Sequence, residues 1–381
     1  MNGRYRLTIP ARINLLGNPA DGNEGDYAVI SAAVDLYAGA VVEPAEGLLL
    51  EMLPSEEARE AEITGRYRRV KATDFPLKYG GQLDLIKGAL NRLYHFGPEF
   101  RDKLLSCSGV RLAVWTRVPR QSGLGGSSLF VLLALAAMRA FFQLDPHIHN
   151  DYVLAELAQR VEARELDITC GYADRYVPLF GSLAYVDYRD KLDQKALHAE
   201  PYATYERLDT AGDLPLVAVT TGLRRDSGDV HGRMRPRYLR EHRRWMVEKG
   251  EPPPLVRLMQ AVYETAWRGK IALLGNDLGA FGELMDRNHQ LVDEMMALSG
   301  FEDGAGRANN AFIELARSHG ALGAKLTGAG SGGSVFALAR SGEEQGIVDA
   351  WQRGIREHGL ERAEIFQPKV VREGLRIEKE A

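Results

Sequence analysis

The sequence predicts an α/β or α+β protein of two domains. Strand-like and helix-like segments mix in both halves of the chain, and a polar stretch without periodicity, Lys191–Thr210, interrupts them. The length, 381 residues, is enough for one large or two ordinary domains. The boundary falls in the polar stretch, giving units 1–205 and 206–381.

In chain order, Tyr5–Pro10 alternates as a strand does, and Tyr27–Pro44 holds β-rich runs at Ala28–Ser31 and Ala38–Val42. Between them lies Gly17–Gly25, a loop dense in Gly, Asn, Asp and Pro. Ile86–Phe96 carries apolar residues at helical spacing. Val110–Arg117 reads as a strand, Pro119–Ser128 as a glycine-rich loop and Leu129–Phe142 as a strongly apolar helix. Tyr152–Leu166 is a second, amphipathic helix, leading into the loop Asp167–Asp174 and a β segment near Ser182–Tyr188. Beyond the boundary, Leu214–Thr220 is a short apolar strand. Helices follow over Arg237–Lys249, Leu255–Leu274, Leu278–Leu298 and Ala308–Ser318. Ala324–Leu338 is a strand, glycine turn and strand, and Glu344–Glu357 a final helix. The chain shows no internal repeat and no low-complexity tract.

Composition narrows the function classes. Hydrophobic residues make up 45% and charged ones 26%, the profile of a chain with a real core. A formal net charge of −4 offers no basic field to nucleic acid or an anionic membrane. The Arg-rich stretch Arg224–Arg244 reads as a solvated helix face. Cys107 and Cys170 are the only cysteines, too few for a disulfide framework or a four-cysteine zinc site, and they suit a reducing cytosol. Met1–Pro10 lacks the apolar core of a signal peptide, and the longest apolar run, Leu129–Met138, is too short to span a bilayer. The expectation is a soluble cytoplasmic protein with neither nucleic acid nor membrane as partner.

Forty of the residues are glycine, roughly a tenth against a usual 7% or so, and many of them cluster. The first cluster is Pro119-x-x-x-Gly123-Leu124-Gly125-Gly126-Ser127-Ser128, between a strand and an apolar helix. Glycines let backbone N–H groups approach a polyanion, and the helix behind adds unpaired N–H groups and the positive end of its dipole. The Ser127 and Ser128 hydroxyls are within reach of a phosphate oxygen or its magnesium ion. No Lys-Ser or Lys-Thr closes the loop, so it is not a Walker motif, and a structural N-terminal turn reads equally well. The second cluster is Lys325-Leu326-Thr327-Gly328-Ala329-Gly330-Ser331-Gly332-Gly333-Ser334. A plain hairpin rarely needs so many glycines, whereas close approach to a ligand does. The third is Arg12-Ile13-Asn14-Leu15-Leu16-Gly17-Asn18-Pro19-x-Asp21, a basic and an acidic residue around a glycine turn.

Together, and in this order, the three resemble the motifs of the GHMP kinases, the family of galactokinase, homoserine kinase, mevalonate kinase and phosphomevalonate kinase. The resemblance spans Arg12 to Leu338. It implies a two-domain α/β fold, with an N-terminal β/α domain holding the first two motifs and a ferredoxin-like C-terminal domain holding the third. It also implies ATP as donor and Mg2+ as its ion. The triphosphate would lie along Pro119 and Gly123–Ser128, with Gly328, Ala329, Gly330, Gly332 and Gly333 closing over it. Cys170-Gly171-Tyr172-Ala173-Asp174-Arg175 looks like the family's catalytic loop, in the Cys-Gly-x-x-Asp form of galactokinases. Asp174 would then accept or orient the acceptor's proton, and Arg12 would stabilise the transferring phosphoryl or hold Asp174 ionised. Glu162 matches the spacing of the magnesium glutamate, with Glu165 as the fallback. Gly126 stands where the family loop often has its first serine, and ungapped counting favours Ser127 over Ser128 for the ion.

The finer resemblance is to the glucuronokinase branch, through Leu15-Leu16-Gly17-Asn18-Pro19-x-Asp21, Tyr79-Gly80-Gly81, Pro119-Arg120-Gln121 and Asp226-Ser227-Gly228-x-Val230-His231 with Arg235-x-Arg237. It implies transfer to the anomeric hydroxyl of a sugar acid, glucuronate first, with Asn18, Asp21, Arg175, Asp226, Ser227 and His231 at the substrate. A carboxylate substrate suits the planar fork of arginine, and Arg120, Arg175, Arg224, Arg225, Arg233, Arg235 and Arg237 are available. The alternatives are another sugar 1-kinase, acting on galactose, arabinose or galacturonate, or a non-catalytic ligand-binding relative, either as monomer or homodimer.

Overall fold

A computed structural model of the protein describes residues 3–23, 27–56, 62–69, 75–119, 122–189, 202–209, 212–223, 227–328 and 333–380. The first strand, β1 (Arg4–Leu16), alternates between buried and partly exposed residues only as far as Thr8, and every residue from Ile9 onward is buried. A strand covered on both faces has no period-two signal, which is why the sequence reading stopped it at Pro10. Arg12–Leu16 therefore belongs to a strand, and the turn proper begins at Gly17. The long β2 (Ala28–Pro44) bridges both β-rich runs. After β3 (Gly47–Met52) and β4 (Gly65–Arg69) come α1 (Asp84–Phe96), α2 (Pro98–Ser106) and β5 (Gly109–Thr116).

α3 (Gly126–Phe142) is buried on nearly every side, from Ser128 to Met138, as its unbroken apolar sequence requires. α4 (Asp151–Arg160) runs into a π-helical turn, Val161–Glu165, and α5 (Ala173–Phe180) follows a short loop. β6 (Leu183–Asp187) and β7 (Thr204–Arg207) complete this part of the chain. The strands pair in the order β1-β2-β5-β3-β4, with β6 on the first half of β2 and β7 on β6; among the described residues only β3 and β5 run parallel.

The second sheet starts with β8 (Leu216–Thr220). Four helices intervene: α6 (Ser227–Glu248), α7 (Pro254–Leu274), α8 (Leu278–Leu298) and α9 (Arg307–Ser318). Then come β9 (Gly323–Thr327), β10 (Ser334–Leu338), α10 (Glu344–Glu357) and β11 (Glu364–Phe366). The order β11-β8-β10-β9, all antiparallel, is that of a split β-α-β-β-α-β unit, the ferredoxin-like arrangement. Its core joins Val217, Val219 and Val335 to Phe312 of α9 and Trp351 of α10. The last strand, β12 (Arg376–Glu380), returns to the first sheet and pairs with β1.

α6 begins ten residues before the predicted Arg237, because Pro236 reads as a breaker yet lies inside the helix. Gly232 and Pro236 are both exposed, so the carbonyl that the proline leaves unbonded faces water. No helix among the described residues is long and apolar enough to cross a membrane.

Candidate active site

Arg12 lies in the fully buried half of β1, and the first turn of α5 brings Asp174 against it. Arg12 Nε donates to Asp174 Oδ1 at 2.8 Å, Nη2 meets the same oxygen, and Nη1 donates to the Gly123 carbonyl at 2.5 Å. One guanidinium thus joins the first motif, the glycine loop and the aspartate. The Arg12 side chain is 3% exposed and that of Asp174 29%, so the aspartate is the member of the pair that meets solvent. Burial alone pushes the Asp174 carboxyl up, but the charges of Arg12 and Arg175 and the Arg12 hydrogen bond outweigh it and hold it below the usual carboxylate range.

The two glycine clusters touch backbone to backbone. Gly123 and Gly328 have φ of 75° and 80°. A Cβ on Gly123 would stand 2.6 Å from the Thr327 carbonyl oxygen, and one on Gly328 would stand 2.8 Å from the Gly123 Cα. Ser334 Oγ donates to the Ser122 carbonyl at 2.7 Å, and the Asn14 N–H donates to Thr327 Oγ1 at 3.2 Å. Behind this junction α3 directs the positive end of a 17-residue helix at the loop.

Ser128, rather than the favoured Ser127, stands beside Glu162: its Oγ donates to Glu162 Oε1 at 2.7 Å. Successive helical residues point about 100° apart, so only one of the two serines can face the π-helical turn that carries Glu162, and the buried face takes Ser128 while Ser127 is exposed. Glu165 is drawn the other way, paired with Arg92 at 2.7 Å and accepting from Tyr79 at 3.2 Å.

Asp21 is buried and caps α5, its Oδ2 accepting the N–H groups of Tyr172 and Ala173, both at 2.9 Å. Burial raises its pKa, the two N–H bonds oppose that, and the charge of Asp174 adds to the rise. His231, on α6, shares the electrostatics of Asp21 and Asp174; burial holds its pKa below the ordinary histidine value. Helix α6 is fixed over the site by Val230, Met234 and Tyr238, which pack with Ala20 and Tyr27.

Two residues expected at the substrate are turned inward. Arg175, 1% exposed, donates to the Gly171 carbonyl and faces Glu162 at 2.8 Å. Asn18 is buried, its amide bound to Lys325 and Gly328. Among the other arginines, Arg233 pairs with Asp229 at 2.9 Å and Arg237 with Glu241 at 2.7 Å, while Arg235 is half-buried one turn beyond His231. Ser227 opens α6, Pro119 and Leu124 flank the loop, and Gly333 precedes β10. Arg120, Arg224, Arg225, Asp226, Ala329, Gly330 and Gly332 lie outside the described residues. The sequence reading passed over Lys325, Asn14 and Asn288, which knit the motifs together. A lysine inside the apolar strand Gly323–Thr327 was the available signal.

No group of three or more His, Cys, Asp or Glu side chains that would hold a metal ion occurs among the described residues. A hydroxyl and a carboxylate oxygen at the end of a phosphate-type loop are nevertheless hard donors of the kind Mg2+ takes together with phosphate oxygens.

Arg12, Asp174, Gly123 and Gly328, drawn from the three motifs and the first turn of α5, thus meet at one place. The GHMP kinases N terminal domain model matches residues 84–182 and the GHMP kinases C terminal model residues 270–356. Glucuronokinase 1 of Arabidopsis thaliana is 28% identical over 88% of this chain and 85% of its own. The D-glycero-alpha-D-manno-heptose 7-phosphate kinase of Campylobacter jejuni is 24% identical over 91% and 93%. The crystal structure of Lactococcus lactis galactokinase with galactose superposes with a TM-score of 0.76, at 19% identity, over 98% of this chain and 95% of that one. The chain belongs to the GHMP kinases, a family that uses ATP as phosphate donor, and sugar kinases are among its relatives.

Proposed function

We propose that this GHMP kinase transfers the γ-phosphoryl of ATP to the anomeric hydroxyl of a sugar acid, D-glucuronate first, releasing ADP and glucuronate 1-phosphate. The observation that carries the reading is the ionised, partly solvent-exposed Asp174 held by Arg12 beside the glycine loop. As the acceptor oxygen forms its bond to phosphorus and the bond to the ADP oxygen breaks, Asp174 accepts or orients the departing hydroxyl proton. Arg12 neutralises charge between that carboxylate and the phosphate loop. Glu162, with the hydroxyl of Ser127 or Ser128, would hold Mg2+ against the phosphates, and the ion supplies charge neutralisation when bound. Arg235, half-buried one turn from His231, would take the sugar's carboxylate. Nucleotide and acceptor meet between the units 1–205 and 206–381, with β12 belonging to the first.

A second reading, a galactose 1-kinase, is favoured by the galactokinase-like loop Cys170–Asp174. A coupled ADP-release assay with Mg-ATP decides, using glucuronate, galacturonate, galactose, glucose, arabinose and mevalonate as acceptors. Selective turnover of glucuronate is the expected result. Turnover of a neutral sugar alone would remove the carboxylate assignment while leaving the kinase.

A further inference from the structure

Lys325 sits in the middle of β9 with none of its surface exposed. Its Nζ lies 2.7 Å from Asn18 Oδ1, 2.8 Å from the Leu326 carbonyl and 3.3 Å from the Asn14 carbonyl. The Phe336 ring lies beneath it, 5.3 Å away at the centroid. Three oxygens surround the amine nitrogen, and burial together with the charge of Arg12 holds its pKa well below the ordinary lysine value. All three are neutral. Burying a charge against neutral oxygens costs free energy that an apolar side chain of similar length would not, so packing alone does not account for a lysine at this position.

What the lysine fixes is the next side chain along. Lys325 Nζ donates to Asn18 Oδ1, which turns the amide oxygen to the lysine and its nitrogen the other way. That nitrogen donates to the Gly328 carbonyl at 3.3 Å. Asn18 is itself anchored through its backbone, since Asn288 donates to the Asn18 carbonyl at 3.2 Å and accepts from the Gly17 N–H at 2.9 Å. Gly328 is the residue whose backbone abuts Gly123 of the other glycine loop. The chain Lys325, Asn18, Gly328, Gly123 therefore crosses all three motifs.

We propose that Lys325 is a positioning residue for the nucleotide: by locking the Asn18 amide it holds Gly328 against Gly123 and sets the gap in which the triphosphate lies. The proposal rests on the nucleotide site described above and adds to it a residue that touches neither nucleotide nor sugar. It also moves Asn18 from the substrate to the support of the nucleotide turn.

The test is ADP binding by isothermal titration calorimetry on the full chain, which needs no acceptor sugar. The proteins are wild type, Lys325→Met, Asn18→Ala and the double variant, each with its thermal melting curve. Each single change is expected to weaken ADP about tenfold, and the double change no more than about tenfold, since both break one relay. With an acceptor that supports turnover, KM for ATP rises by the same factor while kcat at saturating ATP stays within about threefold. ADP affinity within about twofold of wild type in either single variant overturns the proposal, whatever happens to Tm. So does an additive, roughly hundredfold, loss in the double variant. If Lys325→Met does not fold, Asn18→Ala, which keeps the buried lysine, decides alone by the same criterion. A wild-type protein that binds no ADP removes the nucleotide site itself, and the relay falls with it.

Discussion

Asp174 and Arg12 lie 162 positions apart and form one ion pair. The charge of Arg12 helps hold the Asp174 carboxyl below the usual carboxylate range. The pair's stabilisation is present above the unfolded carboxyl's pKa and is lost only as pH falls through the lower folded value. Asp174→Asn should cut turnover about 10²- to 10⁴-fold while ADP still binds. A purified variant turning over at the wild-type rate would remove Asp174 from the reaction. Neighbouring Cys170 is no substitute nucleophile, since burial pushes its thiol up to about 12. Motif order alone brought these two residues together in the sequence. The directions of Asp21, Arg175 and the two serines are not legible in the sequence, because each depends on a neighbour far along the chain or in another element: the N–H groups of Tyr172 and Ala173 for Asp21, and Glu162 for Arg175 and Ser128.

At the level of elements, the long periodic helices were the most legible. The predicted bounds of α8 and α10 match the structure, and α7 starts one residue earlier than read. β12 was invisible for the opposite reason: four of its five residues are charged, and it is a strand only because β1 offers an edge and Arg4 and Arg6 bind Glu380 at 2.7 and 2.6 Å. The glycine loops were legible as ligand-facing, but their mutual contact was not, since it joins turns some 200 residues apart. That contact makes a prediction of its own. Gly123→Ala puts a Cβ 2.6 Å from a backbone oxygen at a φ of 75°, where neither atom has a flexible end to yield. The loops must separate, at a cost of about 1–3 kcal/mol, and ADP affinity should fall about tenfold or more. Titration calorimetry beside a melting curve reads both, and unchanged values would mean that the loops move freely past each other.

Part of the whole molecule's acid sensitivity sits at the same junction. His289, on α8 under β9, is 8% exposed, and its Nε2 contacts Asn310 Oδ1 at 3.0 Å. Burial first, and then the charge of Lys325, hold its pKa down to about 4 from an ordinary 6.5. The folded chain thus binds this proton less readily than the unfolded chain, and between those two values the unfolded state holds more protons. Stability from this group is complete above pH 6.5, declines as pH falls to about 4, and changes no further below that. The full decline is about 3 kcal/mol, since each pKa unit is worth about 1.4 kcal/mol. His149 and His231 are held down as well, so part of the slope belongs to them. Urea unfolding of wild type and His289→Gln at pH 7 and near pH 4.5 isolates the share of His289. The variant should lose less stability than wild type over that interval, by about 2–3 kcal/mol. An equal loss in both proteins would place the acid sensitivity elsewhere and show that a proton on His289 is tolerated beside the buried Lys325.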